Sequence, residues 1–269
     1  MQIVNEDLAK LAVELPDFRE QPLLPKKHKY SIIIPIINEG ARIHKQLNKM
    51  ASLQLPVDII LVDGGSTDGS LLDLEKLRQY GVIALLTKTG PGKLSAQLRI
   101  GLAYSVEKGY EGSLVIDGNG KDGVEAIPKF CEKLDEGYDF VQGSRYVKGG
   151  EAINTPWDRH LGVKLIHAPL ISVAARFWYT DTTNGFRAYS KRFLVSPAIQ
   201  AFRACFSKYN LHYYLAIEAA RQNFKVIEIP VRRAYPANGE VPSKISGFKG
   251  KMAIIKELGL CVIGHYRVK

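Results

Sequence analysis

Along this chain, short uninterrupted apolar runs alternate with stretches in which apolar residues recur every three or four positions. Residues 30–35, 57–63, 82–86 and 114–116 are apolar runs rich in β-branched residues, of the kind found in strands buried on both faces of a parallel sheet. Between them the spacing predicts helices from the 38–40 turn to about 51, over 68–80 with Asp68 as its cap, and over 93–107. Strand and helix then continue to alternate: helix 124–135, strand 138–142, a helix over 158–178 bent at Pro169, a turn into a strand at 183–189, helix 211–222, strand 225–231 and a final helix 247–263. Such alternation predicts an α/β fold with a mostly parallel central sheet and helices on both faces.

The first 29 residues read differently, as a short amphipathic helix over 6–14 and a Pro-rich, basic connector over 16–29. They form an N-terminal helical and basic appendage to a single domain spanning 30–269. The final helix is amphipathic, with Met252, Ile254, Ile255 and Leu258 set among Lys249, Lys251 and Lys256, and Lys244 just before it. That pattern fits a core-packed helix with solvated lysines, or one resting on an anionic membrane.

Composition narrows the class. A net charge of +10 and a pI near 9.4 favour a polyanionic partner: nucleic acid, a nucleotide diphosphate, a phospholipid surface or a phosphorylated acceptor. Three distant cysteines without a Cys-x-x-Cys spacing argue for a reducing compartment and against structural zinc or a disulfide framework. With no apolar stretch of about 18 residues and no signal-peptide pattern, a cytosolic protein is expected, with peripheral contact to the cytoplasmic membrane face.

Polar residues stand where the apolar runs stop. Asn38 and Glu39 follow the first run, Asp63 ends the second, and Asp117, Gly118 and Asn119 follow the fourth. Carboxyl ends of parallel strands share one edge, so these side chains should converge on one crevice. Asp117 and Asn119, one glycine apart, either form a turn bonded to its own backbone or offer two oxygens to Mg²⁺ or Mn²⁺. The Gly90-Pro91-Gly92-Lys93 turn, opening a helix, would give a diphosphate backbone donors and a cation. Dinucleotide and triphosphatase glycine loops are absent from the sequence. His160, His167 and His212 lack metal-ligand spacing and read as structural. Phe177-Trp178-Tyr179 reads as core or helix-end packing, or as a border to lipid.

Five stretches, in order, resemble the family 2 glycosyltransferases of GT-A fold, and within them the polyprenyl-phosphate sugar transferases such as dolichyl-phosphate mannose synthase. They are Ile34-Pro35-Ile36-Ile37-Asn38-Glu39, Val62-Asp63-Gly64-Gly65-Ser66-Thr67-Asp68-Gly69, Val115-Ile116-Asp117-Gly118-Asn119, Gly143-Ser144-Arg145-Tyr146-Val147-Lys148-Gly149-Gly150 and Asp181-Thr182-Thr183-Asn184-Gly185-Phe186-Arg187. The resemblance implies that Glu39 and Asp63 contact the nucleoside and that Asp117 and Asn119 hold the metal on the diphosphate. Pro35, Lys93 and Gly118 complete the expected nucleotide-sugar site. Two positions depart from the family pattern: Asn119 stands for the second Asp of Asp-x-Asp, and Gly64 for the second acid of Asp-Asp-Gly-Ser. The amide brings an oxygen but no charge, with Asp122 close by to assist.

The acceptor follows from chemistry. A sugar hydroxyl needs a general base, for which Asp181 is the candidate, whereas a phosphate monoester is already an anionic nucleophile and asks for arginines. Arg145, in the stretch resembling the family's phosphate-contacting arginine, and Arg159 are placed for that. The expected function is transfer of a sugar, with inversion, from a nucleotide-diphosphate sugar to a polyprenyl phosphate, with Asp117, Arg145 and Asp181 as catalytic residues. The alternatives are transfer to a glycan or other hydroxyl, and a non-catalytic nucleotide-sugar binding module, which Asn119 favours. No nucleic-acid partner is expected, since RNA-type aromatic motifs are missing.

Overall fold

A computed structural model of the chain describes residues 4–236 and 247–268, and in the last helix the side chains from residue 252 on. Eight strands form the central sheet: β1 (Phe18–Pro22), β2 (Tyr30–Ile36), β3 (Val57–Asp63), β4 (Val82–Lys88), β5 (Gly112–Val115), β6 (Phe140–Ser144), β8 (Arg187–Ser190) and β9 (Val226–Pro230). Their spatial order is β1-β4-β3-β2-β5-β8-β6-β9. Two strands run against the rest: β1 pairs antiparallel with β4, and β8 lies antiparallel between β5 and β6. A small parallel pair, β7 (Glu151–Ile153) with β10 (Arg232–Ala234), lies outside this sheet.

The strand sequences explain the layering. Along β2, Ile32, Ile34 and Ile36 join one buried cluster, with Leu61 of β3 and Ile43 and Leu47 of helix α2 (Ala41–Ser52), while Ile33 joins the other. Successive side chains of a strand point to opposite faces, so an unbroken isoleucine run serves two cores. Each such side chain contributes about 1.5–3 kcal/mol when buried. Helix α3 (Leu74–Gln79) and helix α5 (Ile127–Asp135) add Leu77 and Phe130 to the first cluster, and helices α4 (Leu94–Glu107) and α9 (Asn210–Arg221) supply much of the second. A side chain at Gly101 of α4 would collide with Ile33 and Val62, so that glycine sets how closely helix and sheet approach.

Several elements differ from the sequence expectations. The first helix, α1, covers only Glu6–Ala9, and the expected connector contains β1. The segment is tied down, with Leu8 fully buried and the Thr89 and Gly90 amides donating to the Asp17 carbonyl. Asp68 does not cap α3; Asp73 does, while Asp68 accepts from Ser70 and from the Gly40 amide. The long bent helix is α6 (Trp157–Gly162), a π turn at Val163–His167 and α7 (Ala168–Ala175), so Pro169 falls in the first turn of α7, where its missing donor costs little. Helix α8 (Lys191–Leu194) follows β8, and α10 (Gly247–Val262) packs on α7 and α9. In α10, Leu258 faces the core while Met252 and Ile255 are exposed. Lys244 and the side chains of Lys249 and Lys251 lie outside what is described. Among the described residues no helix is long and apolar enough to cross a membrane.

Candidate active site

The carboxyl ends of β2, β3, β4, β5, β6 and β9 share one edge of the sheet. Because β8 is antiparallel, its amino end reaches the same edge, with Arg187 opposite Val115. That reversal brings the 181–186 loop to the strand that ends before Asp117.

At one end of the edge the 38–40 and 63–68 loops are laced together. Asn38 Oδ1 accepts from the Thr67 amide at 2.7 Å and the Asn38 amide donates to Ser66 Oγ at 3.0 Å. Asp63 uses Oδ1 to hold Ser66, accepting from its amide at 2.8 Å and its hydroxyl at 2.6 Å. With Ser66, Thr67, Leu71 and Thr87 it lines a cleft of about 500 Å³. Glu39 is nearly buried and paired with Arg42 at 3.0 Å. Gln97 of α4 donates to the Ile36 and Val62 carbonyls at 2.9 and 2.7 Å and pins the ends of β2 and β3. Gly118 packs directly on Pro35 and Ile36, where a Cβ would lie 3.3 Å from the Pro35 carbonyl oxygen. The expected residues Pro35, Glu39, Asp63, Asp117 and Gly118 therefore sit along one edge.

Lys93 stands apart from the Asp63 cleft. Its amide donates to the Ser207 carbonyl at 2.7 Å and the Ser95 amide to the Lys208 carbonyl at 2.8 Å, so two of the amides at the start of α4 are taken. The Lys93 ammonium leans over the Tyr209 ring, and Lys93 is not among the walls of the Asp63 cleft.

The centre of the edge is an ionic cluster that the sequence reading did not contain. Arg233 of β10 is buried, its Nη2 2.8 Å from Asp117 Oδ2 and its Nη1 2.5 Å from Asp122 Oδ2. Burial pushes both carboxyls up, but the adjacent guanidinium holds Asp117 down to about 2, whereas buried Asp122, with Asp117 facing it, stays above the ordinary range. Asp122 Oδ1 is buried without a hydrogen-bond partner. Asn119 donates through Nδ2 to Asp117 Oδ2 at 3.3 Å, and its Oδ1 accepts from the Lys121 amide at 3.2 Å. Lys121, Arg159 and Arg233 all face Tyr235, and Arg159 Nη1 lies 3.4 Å from its hydroxyl. Burial raises the Tyr235 phenol, but these three cations more than offset it and leave it below its ordinary value. The signal for Arg233 and Tyr235 was their position just past β9, the last strand of the central sheet in chain order, on the same edge as Asp117.

Beside this cluster, Arg145 and Asp181 form a buried forked pair, Nε to Oδ2 at 2.6 Å and Nη2 to Oδ1 at 2.9 Å. Burial opposes the charge on Asp181, yet Arg145 and two amides keep it ionised and its pKa low. Glu228 of β9 accepts from the Thr180 and Asp181 amides, and fully buried Arg187 donates to the carbonyls of Thr182, Asn184 and His212. Those bonds fix the loop so that a Cβ on Gly185 would lie 2.9 Å from Asp117 Oδ1. His167 bonds Thr182 Oγ1, and His212 bonds the Tyr189 hydroxyl. Among the described residues no group of three or more His, Cys, Asp and Glu is arranged to hold a metal.

Glycosyl transferase family 2 matches residues 31–206. The chain is 28% identical over 231 residues to the polyprenol monophosphomannose synthase of Mycolicibacterium smegmatis, covering 84% of each chain. It is 27% identical to the undecaprenyl-phosphate mannosyltransferase of Micrococcus luteus, over 80% of this chain and 86% of that one. The fold matches that of Mycobacterium tuberculosis glucosyl-3-phosphoglycerate synthase in complex with Mn²⁺, UDP and phosphoglyceric acid, with a TM-score of 0.58, 17% identity and coverage of 96% and 81%.

Proposed function

The chain belongs to glycosyl transferase family 2, and from that premise we propose that it moves a sugar, with inversion, from a nucleotide-diphosphate sugar to a polyprenyl phosphate. The Mycolicibacterium smegmatis and Micrococcus luteus relatives are named for mannose transfer involving polyprenol and undecaprenyl phosphate. The observation that carries the reading is the state of Asp181. A carboxylate buried, doubly bonded to Arg145 and held ionised at low pKa is a poor base for a sugar hydroxyl. A phosphate acceptor needs none: its oxygen attacks the anomeric carbon, the bond from that carbon to the diphosphate breaks, and the electron pair leaves on the diphosphate with no proton to remove.

In this reading the Asp63 cleft takes the nucleoside, with Glu39 beside it. Arg145, Arg159 and Lys121 provide the cations that let two anionic substrates approach, since like charges in a partly dry site repel strongly, while Arg233 is taken up by Asp117 and Asp122. The groups that would hold a divalent cation are the Asp117 carboxylate and Asn119 Oδ1, which here accepts from the Lys121 amide, with the unpartnered Asp122 Oδ1 as a third oxygen in the cluster. When bound, such a cation would neutralise the leaving diphosphate. Asp181 positions Arg145.

The test is incubation with donor sugar nucleotides and either a short-chain polyprenyl phosphate or a phosphate-free glycan. Product is expected from the phosphate alone, and Arg145→Lys should keep part of the turnover while leaving donor affinity within about twofold, because a point charge replaces a fork. Product from the glycan alone would return Asp181 to the role of general base.

A further inference from the structure

Arg159 differs from the other two arginines of the site in what holds it. Arg145 is forked onto Asp181, and Arg233 is shared by Asp117 and Asp122. Half-buried Arg159, on the six-residue helix α6, has no carboxylate in ion-pair contact among the described residues. Its guanidinium lies against Tyr235 instead, with Nη1 3.4 Å from the phenol oxygen and the central carbon 5.8 Å from the ring centroid. The difference matters to an anion. A carboxylate that orients an arginine also neutralises it, whereas a phenol accepts a hydrogen bond and leaves the positive charge for a ligand.

Tyr235 is itself firmly placed. It is 6% exposed, its amide donates to the Ile153 carbonyl at 3.0 Å, and Asn154 Nδ2 donates to its carbonyl at 3.2 Å. Two positions earlier stands Arg233, whose guanidinium carbon is 6.0 Å from the Tyr235 ring, and Lys121 Nζ lies 4.9 Å from the same ring. Aromatic faces attract cations, so one neutral side chain gathers three charges that repel one another. Helix α6 is fastened at a second point too. His160, next to Arg159, packs edge-on against Tyr146 at 5.1 Å, and the Tyr146 ring faces Arg145.

We propose that Tyr235 is a positioning residue for the acceptor: it turns Arg159 into the site with its charge uncompensated, so that the acceptor phosphate meets an arginine that no acid has neutralised. This role presupposes the phosphate-acceptor reading and adds to it the residue that sets one of its arginines.

Initial rates with a donor sugar nucleotide and a short-chain polyprenyl phosphate test it in the wild type, Tyr235→Phe, Arg159→Ala and the double variant. Tyr235→Phe keeps the ring for the cations and removes only the hydroxyl. It should raise the acceptor KM about fivefold, the scale of one hydrogen bond, with kcat and the donor KM within about twofold of wild type. Arg159→Ala should raise the acceptor KM about tenfold or more. In that background Tyr235→Phe should add less than about twofold, because a residue acting through another is not additive with it. A packing role would instead lower Tm and move the donor and acceptor KM together. That outcome, full additivity, or an unchanged acceptor KM in Tyr235→Phe overturns the proposal. A wild type that transfers to no phosphate acceptor counts against the transferase reading; calorimetric titration of the four proteins with the short-chain polyprenyl phosphate alone then reads the same coupling without turnover. Non-additive losses of affinity there keep the role of Tyr235, and additive losses or no binding by the wild type overturn it.

Discussion

Nη2 of Arg233 lies 2.8 Å from Oδ2 of Asp117, although 116 positions separate the two residues in the chain. The same guanidinium reaches Asp122, so one cation stands between two carboxylates at the end of β5. Removing it leaves buried Asp122 facing half-buried Asp117 with no cation between them. Arg233→Ala should cost about 3–5 kcal/mol of stability, as expected when one partner of a buried ion pair is lost. Arg233→Lys should cost less, because the charge remains while one arm of the fork is lost. Urea unfolding of the three proteins measures this, and equal midpoints would show that Arg233 does not neutralise the pair.

The metal reading rests on Asp117 and Asn119, whose amide and carboxylate are already 3.3 Å apart. Asp117→Ala should abolish Mn²⁺-dependent binding of a nucleoside diphosphate. Asn119→Asp should strengthen it, since a hard cation gains a charged oxygen ligand. Calorimetric titration with and without Mn²⁺ distinguishes the two, and unaltered binding in Asp117→Ala would remove Asp117 from the metal site.

Gly185 tests whether the 181–186 loop sets the position of Asp117. A methyl there would meet Asp117 Oδ1 at 2.9 Å, and Arg233 restrains that carboxylate from the other side. Something must move, and overpacking of this kind costs about 1–3 kcal/mol. Gly185→Ala should lower turnover at least tenfold by displacing the carboxylate, with the far-ultraviolet circular dichroism unchanged. Full activity in the variant would mean that Asp117 tolerates displacement.

Sequence pattern revealed β2 to β5 because uninterrupted β-branched runs have few other uses in a soluble chain. It missed β1, whose Phe-Arg-Glu-Gln-Pro sequence is polar because the strand lies at the sheet edge and pairs on one side only. Asp63 and Asp117 were legible because strand ends in a parallel sheet share an edge. Arg233 was not, since its partners come from a distant strand end and β10 lies outside the main sheet. The Gly90–Lys93 turn was legible only in part for a related reason. Local sequence offered amides to an anion, and distant chain takes two of them, the Asp17 carbonyl the Gly90 amide and the Ser207 carbonyl the Lys93 amide.

His167 should make stability depend on pH. Burial, aided by the Arg187 charge, lowers its pKa from 6.5 to about 4, against a smaller opposing pull from Asp181. In the unfolded chain the imidazole takes up a proton as pH falls through 6.5, while in the folded protein it stays neutral until about 4. Over that window the unfolded state binds more protons, so its free energy drops relative to the folded state and stability falls as pH falls. The slope approaches about 1.4 kcal/mol per pH unit, which gives a loss of about 2 kcal/mol between pH 7 and pH 5. His212 shifts in the same direction, so the wild-type slope contains both imidazoles. His167→Asn keeps a polar atom for the Thr182 hydroxyl but cannot titrate, so the difference between variant and wild type isolates one group. Urea midpoints at pH 7 and pH 5 should therefore lie closer together in His167→Asn than in the wild type. An unchanged separation would mean that His167 is already protonated in the folded protein at pH 5 and that its burial is shallower than the structure gives.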